Sequence, residues 1–242
     1  MMGEPLTLNP TLDPAALAAA YASAQRLQIR DVLTQASAGA IHALLSRDTP
    51  WGLAWKGEGK PAWLRRADVA ALSVEQQQAM TFELTAAMRR GDYAFLYTVY
   101  PMLTAYLEKW APGGAFDRLF EAINGEAFLA FVRTVTGIPE LIKADAQATL
   151  YAPNQFLAQH NDADHERGRR VAYVLSLCAE EWRPDWGGYL NFLDADGDVI
   201  AGYQPRFNAL NLFTVPQLHN VSLVPWFAPT GRFAITGWFR DR

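Results

Sequence analysis

From residue 143 onward, turn residues cut the chain into short alternating runs, none of them carrying a helical pattern. The runs span 143–151, 155–160, 170–177, 189–193, 199–201, 209–215, 219–223 and 232–239, with Asp162-Ala163-Asp164, Arg183-Pro184-Asp185, Asp194 and Gly197, and Pro229 and Gly231 among the residues between them. Alternation with a period of two marks strands with one face in a core. Eight such strands with no helix between them argue against a parallel α/β sheet and for a β-sandwich or jelly roll.

The first 138 residues read differently. Asp13-Pro14 offers an N-cap and a first helical position before an Ala-rich run, and Thr34 caps a second helix after a short strand at 29–33. Gly and Pro punctuate 49–63, which suggests a hairpin. Ser73 and Gln76 form a capping box opening a helix that reaches Arg89, and helical stretches follow around 101–110 and 125–136. Gly137-Ile138-Pro139 is the stop. The expectation is one domain over 1–242, an α+β chain that is mainly β. In it 1–138 is mainly helical support and 139–242 is the β core.

Composition narrows the function. Half of the 242 residues are hydrophobic, so a real core can form, and a net charge of −4 gives no field for non-specific nucleic-acid binding. The single cysteine, Cys178, excludes an internal disulfide framework and a Cys-based zinc site. The opening MMGEPLTLNPTLDP has no basic segment followed by an apolar stretch, and no apolar run approaches the ~18 residues needed to cross a bilayer. A cytoplasmic protein without a membrane partner is expected. Oligomeric state is not legible.

Only four histidines, His42, His160, His165 and His219, are available for metal or proton chemistry. On a strand His160 and Asp162 share a face, although about 0.4 such pairs arise by chance in a chain of this composition. His219, at the start of a distant strand in the same β-rich segment, completes two imidazoles and one carboxylate. That set suits the facial triad of non-haem Fe(II) oxygenases. On the last strand Arg232, Ala234, Thr236 and Trp238 share a face. An arginine on an inner face is costly unless it meets an anion, which its fork grips in two places.

Taken together, Tyr151, His160-x-Asp162, Gly168-Arg169-Arg170-Val171-Ala172, Trp186-Gly187-Gly188-Tyr189-Leu190, Asn208-Ala209-Leu210-Asn211-Leu212-Phe213, His219-Asn220-Val221-Ser222 and the run from Arg232 to Phe239 carry a resemblance. The segment 151–239 resembles the Fe(II)- and 2-oxoglutarate-dependent oxygenases of the prolyl-hydroxylase type. It looks most like the catalytic half of the prolyl hydroxylases that modify a ribosomal protein. The resemblance implies a double-stranded β-helix, or jelly roll, with supporting N-terminal helices. It implies Fe(II) on His160, Asp162 and His219, with 2-oxoglutarate as cosubstrate and O2 as oxidant. It further implies Arg232 on the distal carboxylate of 2-oxoglutarate, Tyr151 hydrogen-bonded to that cosubstrate, Thr236 near the same carboxylate and Trp238 as a pocket wall. Ser176 stands where the family usually has a cosubstrate-binding tyrosine, so either Ser176 holds a water in place of the phenol or Tyr151 suffices. Those ribosomal-protein hydroxylases carry a second β domain that has no counterpart before Arg242, so a stand-alone catalytic unit is expected and substrate identity is not transferred.

The expected activity is hydroxylation of a C–H bond, with a prolyl residue of a protein or peptide favoured by the resemblance. Alternatives are a free amino acid or small metabolite as substrate, a cupin-type hydrolase or isomerase using zinc or manganese, and a catalytically dead β-helix that binds protein. Bland readings fit the rest: His42 as a structural helix residue, His165 as a loop residue, Cys178 as a small buried residue, and Arg167, Arg169 and Arg170 as a solvated strand entrance. Gly187-Gly188 marks a turn or bulge rather than a phosphate loop. Trp51, Trp55 and Trp63 form a Gly- and Pro-rimmed group of the kind that shapes a substrate groove.

Overall fold

A computed structural model describes residues 5–164, 166–178 and 181–242; His165 lies outside the described residues. Before residue 139 the elements are α1 (Pro14–Ala24), β1 (Arg26–Arg30), α2 (Gln35–Ala43), β2 (Gly52–Lys56), β3 (Ala62–Leu64), α3 (Arg66–Ala70), α4 (Val74–Arg90), β4 (Phe95–Tyr100), α5 (Met102–Leu107), α6 (Ala115–Ile123) and α7 (Glu126–Thr136). After it come β5 (Lys143–Ala144), β6 (Gln147–Tyr151), β7 (Phe156–His160), β8 (Arg169–Ser176), β9 (Leu190–Leu193), β10 (Val199–Tyr203), β11 (Ala209–Thr214), β12 (His219–Val221) and β13 (Arg232–Arg240).

The helix ends form where their local chemistry dictates. Asp13 Oδ1 accepts from the amides of Ala15 and Ala16, and Thr34 Oγ1 accepts from Ser37. Ser73 and Gln76 close a reciprocal box at the start of α4. Gly91 and Gly137 end α4 and α7 in the left-handed conformation.

Antiparallel pairing runs in the order β1-β11-β8-β13-β6-β4-β7-β12-β9-β10 and curls into a nearly closed barrel. One face of β8, β11 and β13 packs on α1, α6 and α7 through Tyr173, Leu175, Leu210, Leu212, Ile235 and Phe239. The alternate residues Ala172, Val174, Phe213 and Ala234 face the barrel interior, against Leu190 and Phe192 of β9. The period-two alternation of these strands thus separates a helix-side core from an interior that holds the functional side chains. β4 makes the turn between the two halves, pairing with β6 at Thr98–Tyr100 and with β7 at Phe95 and Leu96.

Two sequence expectations shift. The early strand lies at Arg26–Arg30 rather than 29–33, because its register follows β11 from Arg26↔Phe213 to Arg30↔Ala209, and Asp31 then leaves the strand with φ 50°. β4, α3 and α6 were not anticipated. Among the described residues no helix is long and apolar enough to cross a membrane.

Candidate active site

β7 ends at His160, and its partner in register on β12 is His219. Their rings lie 4.1 Å apart between centroids. Asp162 sits beyond the strand, in the left-handed region at φ 58°, a conformation that Asp tolerates better than most residues. The carboxylate reaches His160 by this turn and not by strand parity. It spans both imidazoles, with Oδ1 3.4 Å from His160 Nε2 and Oδ2 3.4 Å from His219 Nε2. The three offer ligand atoms within 4.8 Å of one another, and no other such group of His, Cys, Asp or Glu occurs among the described residues.

The second nitrogen of each ring settles which one is free. His160 Nδ1 lies 2.9 Å from the Ala158 carbonyl and His219 Nδ1 lies 2.8 Å from that of Gln217. A carbonyl only accepts, so both Nδ1 atoms carry the proton and both Nε2 lone pairs face Asp162. Phe213 packs edge-on against His219, and Tyr93 flanks His160 at 5.6 Å. This donor set, two neutral imidazoles and one ionised carboxylate on one side, fits a divalent transition metal with positions left open.

At the other end of the interior Arg232 is 2% exposed, and its Nε has no hydrogen-bond partner among the described residues. Burial depresses the guanidinium pKa, and among the described residues no carboxylate pairs with it. Tyr151 is its register partner on β6, with the ring centroid 5.2 Å from Arg232 Cζ. Burial raises the Tyr151 phenol well above its ordinary value, so it stays a hydrogen-bond donor. The near approach of the β9 loop depends on Gly188, at φ 66°, whose added Cβ would stand 3.3 Å from Arg232 Cδ. A buried, unpaired arginine beside a protonated phenol is a cradle for a carboxylate.

Three other expected site residues are placed as follows. Ser176 Oγ donates to the Arg206 carbonyl at 2.7 Å and accepts from the Arg206 amide at 3.1 Å. Its only proton is spent on backbone, so it does not stand in for a phenol; its place is structural. Thr236 faces the interior but accepts from Gln147 Nε2 at 3.3 Å, two rungs up β13 from Arg232. Trp238, two residues further, lies flat against Arg169, with Cζ 3.7 Å from the ring centroid.

Arg169 is the residue that sequence reasoning left at a solvated entrance. Its side chain is 16% exposed. Pairing runs from Phe239↔Val171 to Arg240↔Arg169, so Arg170 is an extra residue on β8, a bulge that turns Arg169 inward. Arg170 points away and binds Asp241 at 2.9 Å. Arg169 Nε and Trp238 Nε1 are both buried without a partner among the described residues. Tyr93 was also missed. His42 is structural as expected, with Nδ1 donating to the Leu177 carbonyl at 2.8 Å, and Cys178 is buried.

Comparison with known proteins places this arrangement. Residues 146–240 match the model of the 2OG-Fe(II) oxygenase superfamily. Among solved structures, a Pseudomonas putida prolyl-4-hydroxylase is similar at 21% identity and a TM-score of 0.58, over 95% of this chain and 100% of that one. A prolyl hydroxylase from Trichoplax adhaerens, solved with a hypoxia inducible factor oxygen degradation domain peptide fragment, is similar at 14% identity and a TM-score of 0.56, over 94% and 89%. The non-heme alpha ketoglutarate dependent epimerase SnoN from nogalamycin biosynthesis is similar at 13% identity and a TM-score of 0.55, over 95% and 84%. No curated protein matches the chain in sequence.

Proposed function

We propose that this chain, a 2-oxoglutarate-dependent dioxygenase with a prolyl-hydroxylase-like fold, hydroxylates a prolyl residue in a protein or peptide. The observation that carries the cosubstrate assignment is Arg232. A buried guanidinium left unpaired among the described residues, at the far end of an interior from a His-Asp-His cluster, answers to a dicarboxylate that reaches from metal to arginine. A hydrolase or isomerase using the same cluster has no need of that cradle.

In this reading His160, Asp162 and His219 hold Fe(II) through Nε2, a carboxylate oxygen and Nε2. The chemistry supplied there is oxidative decarboxylation of 2-oxoglutarate to succinate and CO2, coupled to insertion of one oxygen atom into a C–H bond. Arg232 takes the distal carboxylate by charge-assisted hydrogen bonds, and the Tyr151 phenol donates to the same ligand. Phe192, Phe213, Ala172 and Val174 keep water from the interior. Trp238, with Arg169 stacked over one face of its indole, supplies an aromatic wall that favours an apolar ring as neighbour. The two prolyl hydroxylases of similar fold support the same substrate class.

Anaerobic titration with Fe(II), with and without 2-oxoglutarate, tests the oxygenase part: a weak visible charge-transfer band is expected only with both present. Exposure to O2 with an end-capped proline peptide should then add one oxygen to the peptide. Oxygen added to free L-proline and not to capped peptides would replace the peptide reading with the metabolite one.

A further inference from the structure

A groove of about 640 Å³ lies beside the barrel mouth, and apart from Trp238 the catalytic reading uses none of its walls. Thr236 and Trp238 form its inner wall, and they belong to the same inward file of β13 that leads to Arg232. Its outer walls are Trp63 and Leu64 of β3, Leu103 of α5, and Trp110. We propose that this groove holds the stretch of peptide substrate next to the hydroxylated residue, and that it selects an apolar side chain with an acidic neighbour. The proposal rests on the prolyl-peptide reading above.

Size, shape and charge point to that occupant. Cavities of roughly 300–1,000 Å³ hold drug-sized ligands, so this space exceeds what one amino acid beside the metal would fill. Trp63 stands 57% exposed on its rim, an indole without a protein neighbour to cover it. Among the described residues β3 pairs only with β2, so its other edge has backbone groups to offer an extended chain.

The charges already present are mostly cancelled. Arg65 binds Glu108 at 2.8 Å and lies over Trp110, and Asp145 binds Arg240 at 3.0 Å. Arg66, exposed on the lining, makes no ion pair among the described residues. The groove therefore presents apolar walls and one free positive charge, which favours an acidic residue.

The test uses the full chain loaded with Mn(II) and 2-oxoglutarate, which binds without turnover. It is exposed to a library of end-capped peptides with random residues on both sides of one proline. Bound peptides should be enriched in aromatic or aliphatic residues with Asp or Glu beside them. Ala67→Trp, at an exposed lining position, fills the groove and should weaken the selected peptide at least ~10-fold, equivalent to about 1.4 kcal/mol. Arg66→Glu should turn the acidic preference into a basic one, and Phe82→Ser on the exposed side of α4 should bind as the parent does. Selected peptides that bind both groove variants like the parent, or that show no such preference, overturn the groove alone. A library that yields no bound peptide overturns the prolyl-peptide reading together with it.

Discussion

At the residue scale, the interior works through protons that have somewhere to go and one cation that does not. Each histidine of the His-Asp-His cluster spends its Nδ1 proton on a carbonyl two residues earlier in its own chain, so the backbone itself sets the tautomer. Arg232 is the opposite case, a donor set with no acceptor for Nε among the described residues. Truncating one partner of a buried charge pair costs about 2–5 kcal/mol, so Arg232→Ala should weaken 2-oxoglutarate binding at least ~30-fold. Fe(II) binding, measured by titration without cosubstrate, should stay as in the parent. Equal loss of both would make Arg232 a structural residue.

At the element scale, what was legible depended on whether a strand showed its two faces. β8, β11 and β13 alternate between a helix-side core and an interior, and their sequences say so. Phe95–Tyr100 is apolar on both faces, because Leu96, Thr98 and Tyr100 turn one way while Phe95, Tyr97 and Val99 turn the other, so β4 carries little alternation to read. His160, Asp162, His219 and Arg232 were singled out because two imidazoles, a carboxylate and an inward arginine in one β-rich segment make an uncommon combination, and the structure brings the first three together. Arg169 was not, because a bulge is a property of pairing and leaves no local mark.

Helix α1 shows how a supporting element is tied down. Tyr21 Oη lies 2.7 Å from Thr214 Oγ1 at the end of β11, and burial raises the phenol to about 12 against the opposing effect of that hydrogen bond. Below pH 10 the phenol is neutral in folded and unfolded chains alike. Between pH 10 and about 12 the unfolded chain ionises first, so this part of the stability is present below pH 10 and is lost as pH rises. Urea unfolding at pH 8 and pH 11 should show Tyr21→Phe losing less stability than the parent over that interval. An equal loss would remove Tyr21 from the cause.

At the scale of the whole molecule, the site joins the two halves of one curled sheet. His160 and His219 stand on β7 and β12, and Arg232 stands on β13, so in the proposed reading a metal with 2-oxoglutarate would form a strut between the halves of the barrel. Ligand bound only to the folded state stabilises by about 2.7 kcal/mol at a hundredfold excess over its Kd. Thermal melts should show 2-oxoglutarate raising Tm with Mn(II) present and leaving it unchanged without metal; the same rise in both would sink the strut. β13 also has a consequence for how the protein is made. It lies between β6 and β8 and pairs with both, yet it follows every other strand in the chain. On the ribosome β1, β4, β6 and β8 therefore emerge with the middle of their sheet missing. The main core cannot close until residues 232–240 are translated, and the buried Arg232, the proposed partner of the cosubstrate, arrives with the strand that completes the fold.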